Sequence, residues 1–181
     1  MGAVRLEDLP YYTYEDYLHF EGDWEIINGV AYNMSPAPMK KHQRVSQKIS
    51  WILEEALKEC EKCEALLPVD YKIDEDTVVQ PDNLVVCDED MEGAYISKAP
   101  LIIFEILSKS TAYKDKNLKF NLYEREGVRY YCIVDPAESM AKLYRLSKDG
   151  RYIKVGDFLQ QSYTFEIKEC SFEFDFAKIW A

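Results

Sequence analysis

The chain has 181 residues, of which 48% are hydrophobic and 30% charged, and a formal charge of -11. That length fits a single domain, residues 1–181, with a sizeable core, and the ordinary composition excludes a fibrous, low-complexity or disordered protein. Apolar runs are only strand-long, Met1–Asp8 has no apolar leader core, and Leu6 replaces the hydroxyl residue of a myristoylation signal, so no membrane association and a cytoplasmic location are expected.

Thr13-Tyr-Glu-Asp16 predicts a capped short helix reaching about Phe20. Trp24-Glu25-Ile-Ile then meets Asn28-Gly29, a strong hairpin signal, and Val30-Ala-Tyr32 returns. Beyond the rigid Ser35–Pro38 loop, Val45, Ile49, Ile52, Leu53, Ala56 and Leu57 predict a helix over about 41–62. Val69–Ile73 and Val78–Val86 read as a hairpin joined through Asp74–Thr77. Pro100–Ser108 reads as a central strand covered on both faces. Ser110 or Thr111 caps a helix that carries Leu118, Leu122 and Tyr123 and stops at Gly127. Arg129–Val134 is a further strand, and its helical connection from the Glu105 strand predicts a parallel pair. Lys142–Leu146, Arg151–Val155 and Tyr163–Ile167 predict short antiparallel strands, and Phe174–Trp180 a brief helix or strand.

Two acids stand out. Glu105 interrupts Leu-Ile-Ile-Phe-Glu105-Ile-Leu, and Asp82 lies within Val78-Val-Gln-Pro-Asp82-Asn-Leu-Val-Val86. An ionised carboxylate in an apolar strand is costly unless a cation or several hydrogen bonds meet it. Two of them on neighbouring strands make a site for a hard divalent cation.

Cys87 and Cys132 sit in apolar strand patterns and read as buried thiols of a reducing compartment. Cys60-Glu-Lys-Cys63 has redox or zinc spacing, but no second pair follows and only two histidines exist, so two helix-end thiols are expected. The acidic balance opposes nucleic-acid binding by counterion release. Its distribution is uneven: residues 26–53 contain no acid, while Lys40, Lys41, Arg44 and Lys48 are basic. These four are candidate nucleic-acid contacts, and a solvated helix face explains them equally well.

These features together resemble the PD-(D/E)XK nuclease superfamily, in a bacterial branch of restriction-endonuclease-like proteins. The resemblance is carried by Tyr14–Leu18, Trp24–Gly29, Met34-Ser-Pro, His42-Gln, Val79-Gln-Pro-Asp82, Glu105–Ser108, Asp115 with Lys119, and Val134-Asp-Pro136. It implies an α/β restriction-endonuclease-like core: a mixed β-sheet in the order helix-strand-strand-strand-helix-strand, with an N-terminal hairpin and extra C-terminal antiparallel strands. One departure is clear. The lysine expected two residues after the second acid is Leu107 here, and the branch pattern moves it to Lys119, with Lys109 as runner-up.

The resemblance implies that Asp82, Glu105 and the Ile106 carbonyl hold Mg²⁺, with Mn²⁺ as substitute, and that Lys119 assists catalysis. It places Glu25 as an extra ligand and His42 as a phosphate contact. The residue-level alternatives are an exposed strand acid and a helix-start histidine. Gln80 alternates onto the face of Asp82, and Asp115 pairs within its helix. DNA is the expected partner, and a homodimer is expected through the aromatic-rich tail after Val134. The expected activity is endonucleolytic DNA hydrolysis; the alternative is a catalytically silent nuclease-fold module that binds nucleic acid or protein.

Overall fold

A capping box opens the first element, with Thr13 and Asp16 exchanging hydrogen bonds at the start of α1 (Tyr14–Tyr17). The computed structural model describes residues 8–34, 39–109, 111–168 and 170–181. The Ser35–Pro38 loop, Ser110 as a cap and the reading of the first seven residues lie outside them. At the predicted hairpin, Asn28 and Gly29 both adopt positive φ, 51° and 76°, which is what a two-residue turn between twisted strands requires. A side chain at Gly29 would also strike the Tyr11 ring, whose nearest atom lies 2.2 Å from the position of a Cβ. The hairpin strands are β1 (Trp24–Ile27) and β2 (Val30–Asn33).

Helix α2 (Lys40–Ala56) buries Val45, Ile49, Ile52 and Leu53 on one face. It ends earlier than expected, because the chain turns after Leu57 and tucks Cys60 and Cys63 into the core. An unpredicted edge strand follows, β3 (Cys63–Leu66). The hairpin of β4 (Tyr71–Asp74) and β5 (Thr77–Val79) is as expected, but the run 78–86 is not one strand. Pro81 has no N–H to continue a ladder, so the chain leaves one sheet there and enters another as β6 (Asn83–Cys87). Next come β7 (Ile102–Ile106), a π-helical turn (Lys114–Leu118) running into α3 (Lys119–Glu126), and β8 (Tyr130–Asp135). The remaining elements are β9 (Met140–Leu146), β10 (Tyr152–Phe158), β11 (Ser162–Ile167), β12 (Cys170–Asp175) and α4 (Ala177–Trp180).

The main sheet has six strands in the order β10-β9-β8-β7-β6-β3, and only β7 and β8 run parallel. Along the chain it reads α2-β3-β6-β7-α3-β8, a mixed α/β arrangement as expected. Its first strand, however, is β3 rather than residues 69–73, which belong to a four-stranded sheet β2-β1-β5-β4. Alternation gives the main sheet two covered faces. Val85, Ile102, Phe104, Ile106 and Tyr130 pack with α2, β12 and α4, whereas Leu84, Ile103, Tyr131 and Ile133 pack with α3 and the smaller sheet.

Two expectations change here. Phe165, Phe172, Phe174 and Phe176 are buried in the α2-side core, with the ring centroids of Phe104 and Phe174 5.3 Å apart, so these four tail aromatics are packing residues. The cysteines are not all free thiols either: Cys60 is bonded to Cys170 and Cys63 to Cys87, leaving Cys132 free among the described residues. Among those residues no helix is long and apolar enough to cross a membrane.

Glu124 fastens α3 to β10, accepting from Tyr152 N at 2.7 Å and Arg151 Nη1 at 2.8 Å. The Tyr152 amide and the Arg151 guanidinium hold its carboxyl below the ordinary 4.5. This stabilisation is therefore present above pH 4.5 and fades as the pH falls through the lower folded value. Glu124→Gln should cost about 1 kcal/mol or less at neutral pH. The difference from wild type should shrink in acid, as urea unfolding across a pH series would measure.

Candidate active site

β7 alternates, so Ile103 and Glu105 point to the α3 side while Phe104 and Ile106 point to α2. β6 runs antiparallel to it, with Asn83 opposite Phe104 and Leu84 opposite Ile103. Asp82 directly precedes β6, close enough for its charge to act on Glu105. Asp82 is held in place by both sides of the sheet. Its Oδ2 accepts from Ile106 N at 2.7 Å, and His42 Nε2, from the first turn of α2, lies 3.3 Å from its Oδ1.

Behind this pair lies a buried ion cluster. Lys119 is fully buried, with Nζ 2.8 Å from Glu105 Oε1, 2.7 Å from Glu25 Oε1 and 3.8 Å from Asp115 Oδ1. Tyr123 OH donates to the same Glu105 oxygen at 2.8 Å. Glu25 is also fully buried and reaches the cluster from β1, where Gln80 N donates to it at 2.8 Å. Lys114 Nζ meets its other oxygen at 2.5 Å and also touches Met34 Sδ at 3.0 Å.

The π-turn explains how one helix supplies two lysines to one carboxylate. In an α-helix, residues five apart point about 140° away from each other. Within the π-turn, Lys119 N bonds to Lys114 O, so the two residues stack one turn apart and grip both oxygens of Glu25.

Burial lifts the Glu105 carboxyl well above the carboxylate range; Lys119 opposes this, while Asp115, Asp82 and Glu25 add to it. For Glu25 burial pushes the same way, but Lys119 and Lys114 outweigh it and hold the carboxyl low. Lys119 stays well above its ordinary value: burial pulls it down, and Glu105, Glu25 and Asp115 prevail. Burial also pulls His42 down, yet its bond to Asp82, the charges of Asp82 and Asp115 and a backbone hydrogen bond at Ile106 raise it overall.

The structure thus gathers Asp82, Glu105, Lys119, Glu25, His42 and Ile106 in one place. Glu25 is no exposed strand acid. Gln80 contributes its backbone only, because its side chain turns to Asp70 Oδ1 at 2.7 Å and Tyr17 OH at 3.0 Å. Lys109 is exposed. Lys114 and Tyr123 had no sequence signal beyond helical spacing, since the π-turn that redirects Lys114 leaves no mark in composition. Lys40, Arg44 and Lys48 follow one stripe of α2, whereas His42, Ser46 and Ser50, about 200° round the helix, line a cavity of about 490 Å³ that also touches Asp82. None of the four candidate basic residues lines that cavity.

Among the described residues no three His, Cys, Asp or Glu side chains form a ready metal cluster. Asp82 and Glu105 nonetheless fit Mg²⁺, which takes one or two carboxylates and keeps several waters. The donors are hard oxygens. Among the described residues three carboxylates, Glu25, Glu105 and Asp115, share the ammonium groups of Lys114 and Lys119, and Lys119 and Tyr123 both bond Glu105 at Oε1.

A family profile described as "Uma2: Putative restriction endonuclease" matches residues 11–170. The crystal structure of a "putative nuclease belonging to DUF820" from Anabaena variabilis ATCC 29413 is similar in fold, with a TM-score of 0.72 at 17% identity, over 93% of this chain and 97% of that one. No curated protein matches. Both findings agree with the PD-(D/E)XK resemblance, and the matched segment contains every residue of the carboxylate–lysine cluster, from Glu25 to Lys119. On that match across most of its length, the chain belongs to the Uma2 family.

Proposed function

We propose that the protein is a metal-dependent endonuclease that hydrolyses DNA phosphodiester bonds. The observation that carries this reading is that Asp82, which lines a groove and is bonded to Ile106 N, lies beside the strand that holds buried Glu105, itself paired with a buried lysine. Asp82, Glu105 and the Ile106 carbonyl would hold Mg²⁺ or Mn²⁺. When bound, the cation supplies an acidified water and neutralises charge at the scissile phosphate. Ile106 N and His42 fix the orientation of Asp82. Lys119, itself fixed by Glu25 and Glu105, keeps a positive charge beside the reacting centre without reorganisation. His42, bonded to Asp82, lines the groove beside the place a phosphate would take.

The groove runs from His42 and Asp82 past Ser46 and Ser50 to Trp51 and Leu67. Its hydroxyl and amide groups suit sugar and phosphate contacts, and Trp51, 57% exposed, offers a stacking face to a base. Trp51→Ala should weaken binding of a DNA oligonucleotide about tenfold, the effect of one lost stacking platform. Fluorescence anisotropy would measure this, with the melting temperature unchanged. The basic stripe of Lys40, Lys41, Arg44 and Lys48 lies outside this groove and is left to flanking phosphates. A homodimer with one site per strand belongs to the same proposal.

Supercoiled plasmid supplies the test. Nicked and linear products should form with Mg²⁺ or Mn²⁺ and vanish with EDTA. Products that persist after chelation would remove the metal-dependent reading. One observation favours the rival, a silent nuclease-fold module: Lys119 and Tyr123 already occupy Glu105 Oε1. Calorimetric titration with Mn²⁺ separates the two, because a silent module gives no heat that depends on Glu105.

A further inference from the structure

The Cys60-Glu-Lys-Cys63 spacing lacks a second cysteine pair in sequence, and the fold supplies one. Cys63, at the start of β3, lies in register opposite Cys87, at the end of β6, with Cα atoms 4.0 Å apart. Cys170 opens β12, and its Cα lies 5.9 Å from that of Cys60. The two pairs are joined by a single turn, closed by Cys63 N donating to Cys60 O at 3.0 Å. Cys60, Cys63 and Cys170 line one cavity, and Cys87 joins them through its bond to Cys63. The fifth, Cys132, is fully buried in β8 and takes no part.

The backbone turns sharply beside two of these cysteines. Asp88, directly after Cys87, and Lys168, two residues before Cys170, both adopt positive φ, 54° and 43°, a region that residues with a Cβ rarely enter. A cavity of about 530 Å³ opens onto Cys60, Cys63 and Cys170 and is lined by Lys62 and Lys168, with Glu59, Glu61 and Asp88 beside them. Lys168 is paired with Asp88. The length of β6 separates this place from Asp82, so it is not part of the carboxylate site.

We propose that Cys60, Cys63, Cys87 and Cys170 form a structural tetrathiolate zinc site when reduced, and that the two disulfides are its oxidised, zinc-free form. Each disulfide takes two electrons and two protons from a dithiol reductant, which itself closes to a disulfide. Zn²⁺ then displaces the four thiol protons and leaves a dianionic centre beside Lys62 and Lys168. Four cysteines with a two-residue spacer in one pair are the donor set of closed, tetrahedral zinc sites. Such an ion would tie the β11–β12 ribbon and the turn at Cys60 to β3 and β6, which the disulfides join only in pairs.

The test counts metal on the whole chain, purified with a phosphine reductant and supplied with Zn²⁺ alone. About one tightly held zinc per chain is expected, with Co²⁺ giving the visible absorption of a tetrahedral thiolate site. Cys87→Ser and Cys170→Ser should each reduce zinc to below about a tenth per chain, while Cys132→Ala should leave it unchanged. Should a serine variant fail to fold, metal counting and the Co²⁺ spectrum of the unaltered chain still decide the matter. A reduced chain with its four thiols titratable but no bound zinc would overturn the proposal, as would disulfides that resist the reductant.

Discussion

Asp82→Asn is expected to reduce metal-dependent plasmid nicking by about three orders of magnitude, since a single lost metal ligand removes several kcal/mol of transition-state stabilisation. The fold should survive. Asp82 is half-buried, and an asparagine oxygen can still accept from Ile106 N, so the bond that aligns the start of β6 with the end of β7 is kept. Nicking time courses and melting curves on the same preparations would check both halves. Unchanged activity would assign the cleavage to a contaminant and end the catalytic proposal.

Glu25→Ala is expected to act on stability instead. It leaves Lys119, fully buried, and Lys114, nearly so, without the carboxylate they share. Removing one member of a buried ion pair costs about 3–5 kcal/mol, because the remaining charge stays desolvated. For a chain of this size that corresponds to a fall in melting temperature of about 10 °C. Adding Lys114→Met should recover part of the loss, since the two side chains are in contact and their effects are not additive. A melting temperature within about 2 °C of wild type would show that water or backbone groups already serve these ammonium ions.

Much of this arrangement was legible in the residues. Glu105 and Asp82 stood out because each is an acid in an apolar run, and local burial is something the pattern of neighbours reports well. Thr13–Asp16 and Asn28-Gly29 were legible for the same reason: caps and tight turns are settled within four residues. What stayed hidden depends on distant partners. The run Val78–Val86 reads as one strand in sequence, and that Val78 and Leu84 on either side of Pro81 join different sheets is decided by β1 and β7. β3 is four residues long, and its register is set by β6. The partners of Cys63 and Cys60 lie 24 and 110 residues away, beyond any spacing rule. Lys114 was missed because a helical wheel drawn for 3.6 residues per turn turns it away from Lys119.

The position of Lys119 on a helix has a consequence for the strand beside it. With the ammonium delivered from a neighbouring helix, the position just beyond β7 no longer has to carry a charge, and Leu107 there packs against the apolar layer under α3. Lys119 on α3 thus meets the strand acid, and the position two residues beyond that acid is apolar. A search that demands an acid and a lysine two residues apart would pass over this chain, whereas one that asks which cation lies within bonding reach of the strand acid would find it.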